Sequence, residues 1–494
     1  MVRHDTAAAP IILPGSRYRR FLNRWLFKTH NTRRGASTAT PVQNARAEAR
    51  EEHPMPFFDS TIQFLGFDGW RKYESLWRRW NNEFEHGLKR RSDREIRRLQ
   101  DEMDGVPVSA SKHDVDVAAS AHRIRSIDIT HHRLVFNPPF QASWDSKPRV
   151  HLDATIVRVA TDTGFVGYGS GDRMVGFAGH EDLFIGQDPL AIERHYRVLS
   201  HIDFHYGRCW PLDLALWDLA GKIAGQPCWK LLGGLSNRVR AYASCGVLRD
   251  AGALAAQAEH LVAQGFRALK LRFRRSDWRD DVRGLEAVRA RVGNRLELLV
   301  DCNQGWRLPW DTEASWTFKD ALTVARELER LNVYWMEEPL HRADFSGMRT
   351  LREATDVRIA AGEMTRQLHE LRDLLSGGCV DVLQPDVALV GGITGLRRIV
   401  ILAQEQHVVF TPHTWTNGMG VTANAHLAAG LAESPFLEYP FDPPDWSLER
   451  RDYMMAQPLA VDRDGWINLS DAPGMGYALD EPILADTIMA RPRD

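Results

Sequence analysis

Between Lys270 and Glu438 the chain alternates short apolar runs with amphipathic stretches, and each run ends in one or two polar residues. The runs read ALKLRF, LELLVDCNQGW, VYWMEEPL, RIAAGEM, DVLQPDVALVGG, VVFTPHTW and FLEYP. Their polar ends are Lys270 with Arg272, Asp301 with Asn303, then Glu337, Glu363, Asp386, His413 and Glu438. The stretches between them, such as AGALAAQAEHLVAQG and ALTVARELERLN, carry the spacing of helices. Successive polar ends lie roughly 25 to 35 residues apart, the length of a strand, a helix and two loops in a β/α barrel. In such a barrel, polar residues at the carboxyl ends of strands share one mouth. The pattern therefore predicts an α/β chain with a TIM-type barrel over residues 239–439, the catalytic domain.

Before the barrel, RIRSIDITHHRLVF and RVHLDATIVRVATDTGFVGYGSG read as strands, the second turning at Asp162–Gly164. The segment between them, residues 137–148, has three prolines and no period, so it reads as a functional or disordered loop. Helical patterns follow up to Leu232, which makes residues 122–238 an α+β domain. Residues 440–494 carry FDPPDW and short strands, and should return to cover that domain.

Residues 1–121 read as an N-terminal extension. It comprises an arginine-rich arm to about Met55, a helical segment and a Ser/Ala/Asp-rich linker from Asp104. In the helical segment Trp70, Tyr73, Trp77, Trp80, Phe84 and Leu88 recur at steps of three and four. That stripe is expected to pack on the body or on a second subunit; its flanking basic residues are weaker evidence for nucleic acid. SRYRRFLNRW has the look of a twin-arginine signal, but no apolar region follows it.

Composition narrows the classes. A formal net charge of −2 gives no global field for nucleic acid or an anionic membrane. No apolar run approaches the ~18 residues of a membrane span. Five scattered cysteines without metal-ligand spacing point to reduced thiols in the cytoplasm.

Three carboxylates, Asp301, Glu337 and Glu363, fall on adjacent strand ends. Pointing together they repel unless a cation is present, and an all-oxygen set suits Mg²⁺ better than zinc. Glu337 is chosen over Glu338 because side chains alternate along a strand. Asp386 and His413 follow on the next two strands. A carboxylate on one imidazole nitrogen fixes the tautomer and raises basicity at the other, which makes His413 a general base. Lys270 is either a cation for a substrate carboxylate or a second base with a depressed pKa. Arg272 is a poor base. Glu438, if protonated, would hydrogen-bond a developing enolate oxygen. Trp144, Trp306 and Trp415 are placed to shape the substrate pocket.

From about His122 onward the chain resembles the enolase superfamily, specifically its mandelate racemase subgroup. The resemblance rests on LKLR, VDCNQGW, WMEEP, AGE, QPDVALVGG and TPHTW, with ALWDLAGKIAGQPCWKLLGG and LEYPFDPP in support. It implies a capping domain on a (β/α)₇β barrel. It implies Mg²⁺ on Asp301, Glu337 and Glu363, base catalysis by His413 with Asp386, and Asn303 near metal or substrate. It also implies that Lys270 and the metal hold the substrate carboxylate, with Glu438 as an electrophilic acid. The chain departs from the pattern where the family's second lysine is Arg272. A racemase needs bases on both faces, so one base favours syn elimination: an acid-sugar dehydratase giving a 2-keto-3-deoxy acid. A cycloisomerase or lactone-opening enzyme comes second and an epimerase third. The alternative of another class is an inactive paralogue with a basic N-terminal binding module. The expected partners are a small carboxylate and further copies of the chain, as a dimer or octamer.

Overall fold

The computed structural model describes residues 121–489, except 309, 310, 312, 313 and 433. The arm and the aromatic stripe of the N-terminal extension lie outside the described residues, as does its linker up to residue 120.

Strands β1 (Ile124–Phe140), β2 (Arg149–Thr161) and β3 (Val166–Gly171) form an antiparallel sheet in that order. β1 runs further than expected: Phe140 pairs with Arg149 after a register shift, so the first residues of the 137–148 stretch belong to the strand. Burial explains this, because Phe140 is fully enclosed and packs on Trp446 and Trp415. Helices α1 (Ile192–His205), α2 (Trp210–Ala224) and α3 (Cys228–Leu231) follow. α2 is buried from Trp210 to Gly221 and lies directly on β3. Gly167 and Gly169 allow that approach, since a Cβ there would fall 2.2 Å from the Ala215 carbonyl and 2.0 Å from the Pro211 carbonyl.

Eight short parallel strands come next: β4 (Arg238–Ser244), β5 (Ala268–Arg272), β6 (Glu297–Asp301), β7 (Trp335–Glu337), β8 (Arg358–Ala361), β9 (Val382–Leu383), β10 (Val409–Phe410) and β11 (Leu437–Pro440). Helices α4 (Ala251–Ala263), α5 (Trp278–Val292), α6 (Phe318–Arg330), α7 (Phe345–Ala354), α8 (Leu368–Ser376), α9 (Gly392–Glu405) and α10 (Gly418–Leu431) separate them. The sheet order is β10-β9-β8-β7-β6-β5-β4-β11, which gives the expected (β/α)₇β order. Between β10 and β11 the curve closes through side chains: the Thr414 hydroxyl donates to the Glu438 carbonyl at 2.7 Å. Such strands are covered on both faces, which is why their sequences read as near-continuous apolar runs.

Helix starts are set by local chemistry. Asp250, Asp277, Asp344 and Asn417 each accept a backbone N–H at their helix's first turn, and Thr317 with Asp320 forms a capping box. Asn417 does more. Its amide also donates to Ser170 Oγ at 3.0 Å and to the Gly171 carbonyl at 3.1 Å, which fastens the end of β3 to the barrel mouth. All five cysteines are buried free thiols. Among the described residues no helix is long and apolar enough to cross a membrane.

The tail is tied back through His426 on α10. The Trp229 amide donates to its Nδ1 at 3.0 Å, and its Nε2 lies 3.2 Å from the Met475 carbonyl. Burial pushes this imidazole down to about 4, so it is neutral in the fold. The unfolded side chain titrates near the ordinary value of 6.5. Stability from this group is therefore complete above that value and is lost as pH falls toward 4. Comparing wild type with His426→Asn by denaturant titration, the stability gap should narrow by on the order of 2 kcal/mol from pH 7 to pH 4.5. A gap independent of pH would mean that His426 is not buried neutral.

Candidate active site

Alternation along the strands builds the site. Tyr242, Ala268, Leu299, Trp335, Val382 and Phe436 form an apolar layer inside the barrel. Two residues further along the same chain segments, on the same face, come Ser244, Lys270, Asp301, Glu337, Gln384 and Glu438. A polar layer thus rests on an apolar plug. Two residues reach the site by other means. Glu363 follows Gly362, whose φ of 127° turns the chain after β8, and His413 lies three residues beyond β10.

Asp301, Glu337 and Glu363 are all buried, and each offers an oxygen within 4.8 Å of the others. Burial pushes Glu337 up to about 8; Lys270 opposes that shift, and Asp301, Glu438 and Glu363 add to it. Glu363 is pushed the same way, by burial and by Asp301 against the pull of His413. Each carboxylate is nevertheless oriented. Asp301 accepts the Asn303 amide at 2.8 Å and pairs with Arg272. Glu337 accepts Gln384 at 3.0 Å and Trp335 at 3.2 Å, and Glu363 accepts the Trp306 indole at 2.6 Å. This donor set has only oxygens, is short of positive charge and is held in place, so it fits a hard divalent cation.

Lys270 is fully enclosed, with Nζ 2.8 Å from Glu337, 2.7 Å from Glu438 and 3.7 Å from Asp301. Burial opposes its charge, but Glu337 and Glu438 outweigh burial and raise its pKa. The alternative of a base with a depressed pKa does not fit this environment. The expectation for Glu438 also needs correction. Burial would favour its neutral form, but Lys270, His413 and Arg272 hold it well below the usual carboxylate range. It is an ionised acceptor, taking the Ser244 hydroxyl at 2.7 Å and the Thr414 amide at 2.8 Å, and not a protonated donor.

Arg272 donates to the Cys245 carbonyl at 3.0 Å and to Ser244 Oγ at 3.1 Å. Its guanidinium lies 4.5 Å from the Trp144 ring centre and 5.6 Å from that of Trp415. Trp144 comes from the 137–148 segment, so that segment lies over the Arg272 side of the mouth. Trp415 also donates to Ser244 at 2.8 Å.

On another side of the triad, His413 Nδ1 lies 3.1 Å from Asp386 Oδ2 and Nε2 lies 3.8 Å from Glu363 Oε2. Asp386 is itself held, accepting the Ala388 amide and Asn424 Nδ2, both at 2.8 Å. Burial disfavours imidazolium, but Glu363, Glu438 and Asp386 outweigh it and raise His413 to about 9. Asn303 has a φ of 47° and a buried side-chain oxygen without a partner, close to Asp301.

All twelve residues expected at the site converge, though Trp306 enters as a partner of Glu363. Several others were missed. Gln384 was legible, since it precedes Asp386 by two on the same strand-end run. Ser244 follows Tyr242 by two and obeys the same rule; Thr414 and Asn424 carry no such signal, because their partners are distant in sequence. Glu338, set aside as facing away from the mouth, is buried too. It has a φ of 45°, and its carboxyl closes against Gly305.

Comparison with known proteins places this arrangement. Residues 124–233 match the family described as mandelate racemase / muconate lactonizing enzyme, N-terminal domain. Residues 253–483 match the family described as enolase C-terminal domain-like. The L-talarate/galactarate dehydratase of Salmonella typhimurium is 30% identical over 68% of this chain and 82% of its own length. The 3,6-anhydro-alpha-L-galactonate cycloisomerase of Streptomyces coelicolor is 32% identical over 54% of this chain and 68% of its own. The crystal structure of the Salmonella dehydratase, liganded with Mg and L-lyxarohydroxamate, superposes with a TM-score of 0.66 at 27% identity, covering 76% of this chain and 95% of that one.

Proposed function

We propose, on the premise that this chain belongs to the mandelate racemase / muconate lactonizing enzyme family of the enolase superfamily, that it dehydrates an acid sugar to a 2-keto-3-deoxy acid. The observation that carries this reading is the one-sided placement of a base. His413 Nε2 points toward the carboxylate triad, while the cation at the position of a second base is Arg272, paired with Asp301.

Asp301, Glu337 and Glu363 would hold Mg²⁺, which when bound supplies Lewis-acid stabilisation of a carboxylate becoming an enediolate. The chain's own groups do the rest. Lys270, kept charged by Glu337 and Glu438, faces the substrate carboxylate as a fixed cation. Asp386 holds the His413 tautomer; Glu363 is the largest influence keeping the ring protonated, and with its charge offset by a cation on the triad Nε2 would be free to take the α-proton. The imidazolium so formed lies on the same face as a β-hydroxyl aligned for syn departure and returns the proton to that oxygen, which leaves as water. The enol product then tautomerises to the 2-keto acid. Arg272, stacked by Trp144 and Trp415, adds positive charge without accepting a proton.

A cycloisomerase is the second reading, favoured by the similarity to the Streptomyces enzyme. It would use the same base with a ring oxygen as the leaving group. A panel of acid sugars with Mg²⁺ in D₂O separates the cases, read by NMR for α-deuteration and by a carbonyl reagent for 2-keto product. Dehydration predicts 2-keto product from at least one acid. Deuteration with ring opening or closure and no such product would favour the isomerase, and neither signal with any acid would sink both.

A further inference from the structure

Two guanidinium groups outside the carboxylate triad have no role in the chemistry above. Arg208 lies in the turn between α1 and α2, half-buried, and its Nε is sealed from solvent without a hydrogen-bond partner. Arg366 lies three residues beyond Glu363 on the loop after β8 and is exposed. Neither guanidinium has an ion-pair partner within 4.0 Å among the described residues.

The surrounding contacts bring the two segments together. Asp203 on α1 accepts Gln367 Nε2 at 3.0 Å, which ties the Arg208 side of the fold to the residue after Arg366. Cys209 Sγ lies 3.4 Å from the Val175 carbonyl, so the turn packs on the loop that follows β3. The start of that loop faces the base, since Gly171 abuts Ala388, two residues from Asp386. Burial and the neighbouring charge of Arg366 both lower the pKa of Arg208, while Asp172, Asp203 and Asp386 act the other way. Asp203 is buried, and burial pushes its carboxyl and that of Asp172 toward the neutral form. They therefore compete weakly for the two cations. Two guanidinium groups without carboxylate partners suit a planar or tetrahedral oxyanion that can accept from both forks.

We propose that Arg208 and Arg366 form a second anion site outside the triad, which takes the far-end charge of a dianionic acid sugar. The proposal rests on the acid-sugar reading above for the identity of the ligand, and it selects diacids or phosphorylated acids over monoacids.

The test uses the full chain with Mg²⁺ and three probes that differ at one end: gluconate, glucarate and 6-phosphogluconate, with galactonate and galactarate as a second pair. Binding is measured by calorimetry and turnover by 2-keto product. At least one dianion should bind and turn over about 100-fold better than its monoacid, as two charged hydrogen-bonding groups allow. Arg208→Gln and Arg366→Gln should each cut that ratio about 10-fold, with Arg208→Lys recovering part of it. Arg366 is on the surface, so its variant guards against a loss of folding in the other. Whether glucarate or 6-phosphogluconate shows the preference identifies the terminal group. Charge-selective binding that both variants erase, without turnover of any probe, would uphold the anion site and sink the dehydratase reading. Turnover with equal preference for monoacids and dianions, or a preference untouched by both variants, would overturn the anion site and leave the dehydratase reading standing.

Discussion

His413→Asn is expected to lower turnover by about 10² to 10⁴, the usual cost of a positioned proton-transfer group. It should also remove α-proton exchange in D₂O. The loss should sit at the high end, because one imidazole takes the α-proton and then protonates the departing hydroxyl. Asparagine keeps a group able to meet Asp386, so the fold around the dyad should survive. Arg272→Met should behave differently. It removes the partner of Asp301 and the cation beneath Trp144, so binding weakens, yet exchange on the His413 face persists. Deuterium incorporation by NMR in the two single variants separates the roles. Exchange that survives in His413→Asn and vanishes in Arg272→Met would reverse them.

Glu363→Gln should weaken Mg²⁺ binding more than ~100-fold, since even partners behind the ligands cost 10- to 100-fold when lost. Activity should be abolished with it. The metal-free protein should respond in the opposite sense. Glu363 is pushed up in the fold by burial and by Asp301, so its ionised form costs stability at neutral pH. Glutamine removes that charge and keeps an oxygen for the Trp306 indole. In EDTA the variant's melting temperature should therefore equal or exceed that of wild type, and the order should reverse at saturating Mg²⁺. A wild type that stays fully active in EDTA would refute the metal site. A variant that melts lower under both conditions would show that Glu363 acts through structure alone.

These expectations depend on two kinds of information. The period of two along buried strands is local, and the chain states it outright. Once Leu299, Trp335 and Phe436 are recognised as apolar strand residues, Asp301, Glu337 and Glu438 must share their face two steps on. The barrel, its order and the converging carboxylates follow from that repetition. So does Gln384, which the same rule would have caught. The N-terminal stripe is legible in the same local way, but it lies outside the described residues.

What tertiary structure alone decided is charge and company. Sequence offered Glu438 as an acid and left Lys270 a cation or a base. Packing set Lys270 Nζ 2.7 Å from Glu438 and 2.8 Å from Glu337, and in a dry interior that proximity holds one ionised and the other protonated. Arg272 took up Asp301 and two indoles for the same reason: a buried charge must find partners, and those partners sit on other strands. Arg208 and Arg366 are 158 positions apart by subtraction of their numbers, one in the turn between α1 and α2 and the other on the loop after β8. No local pattern links them. Strand periodicity fixes which way a side chain points, but only the folded chain fixes which charges it meets.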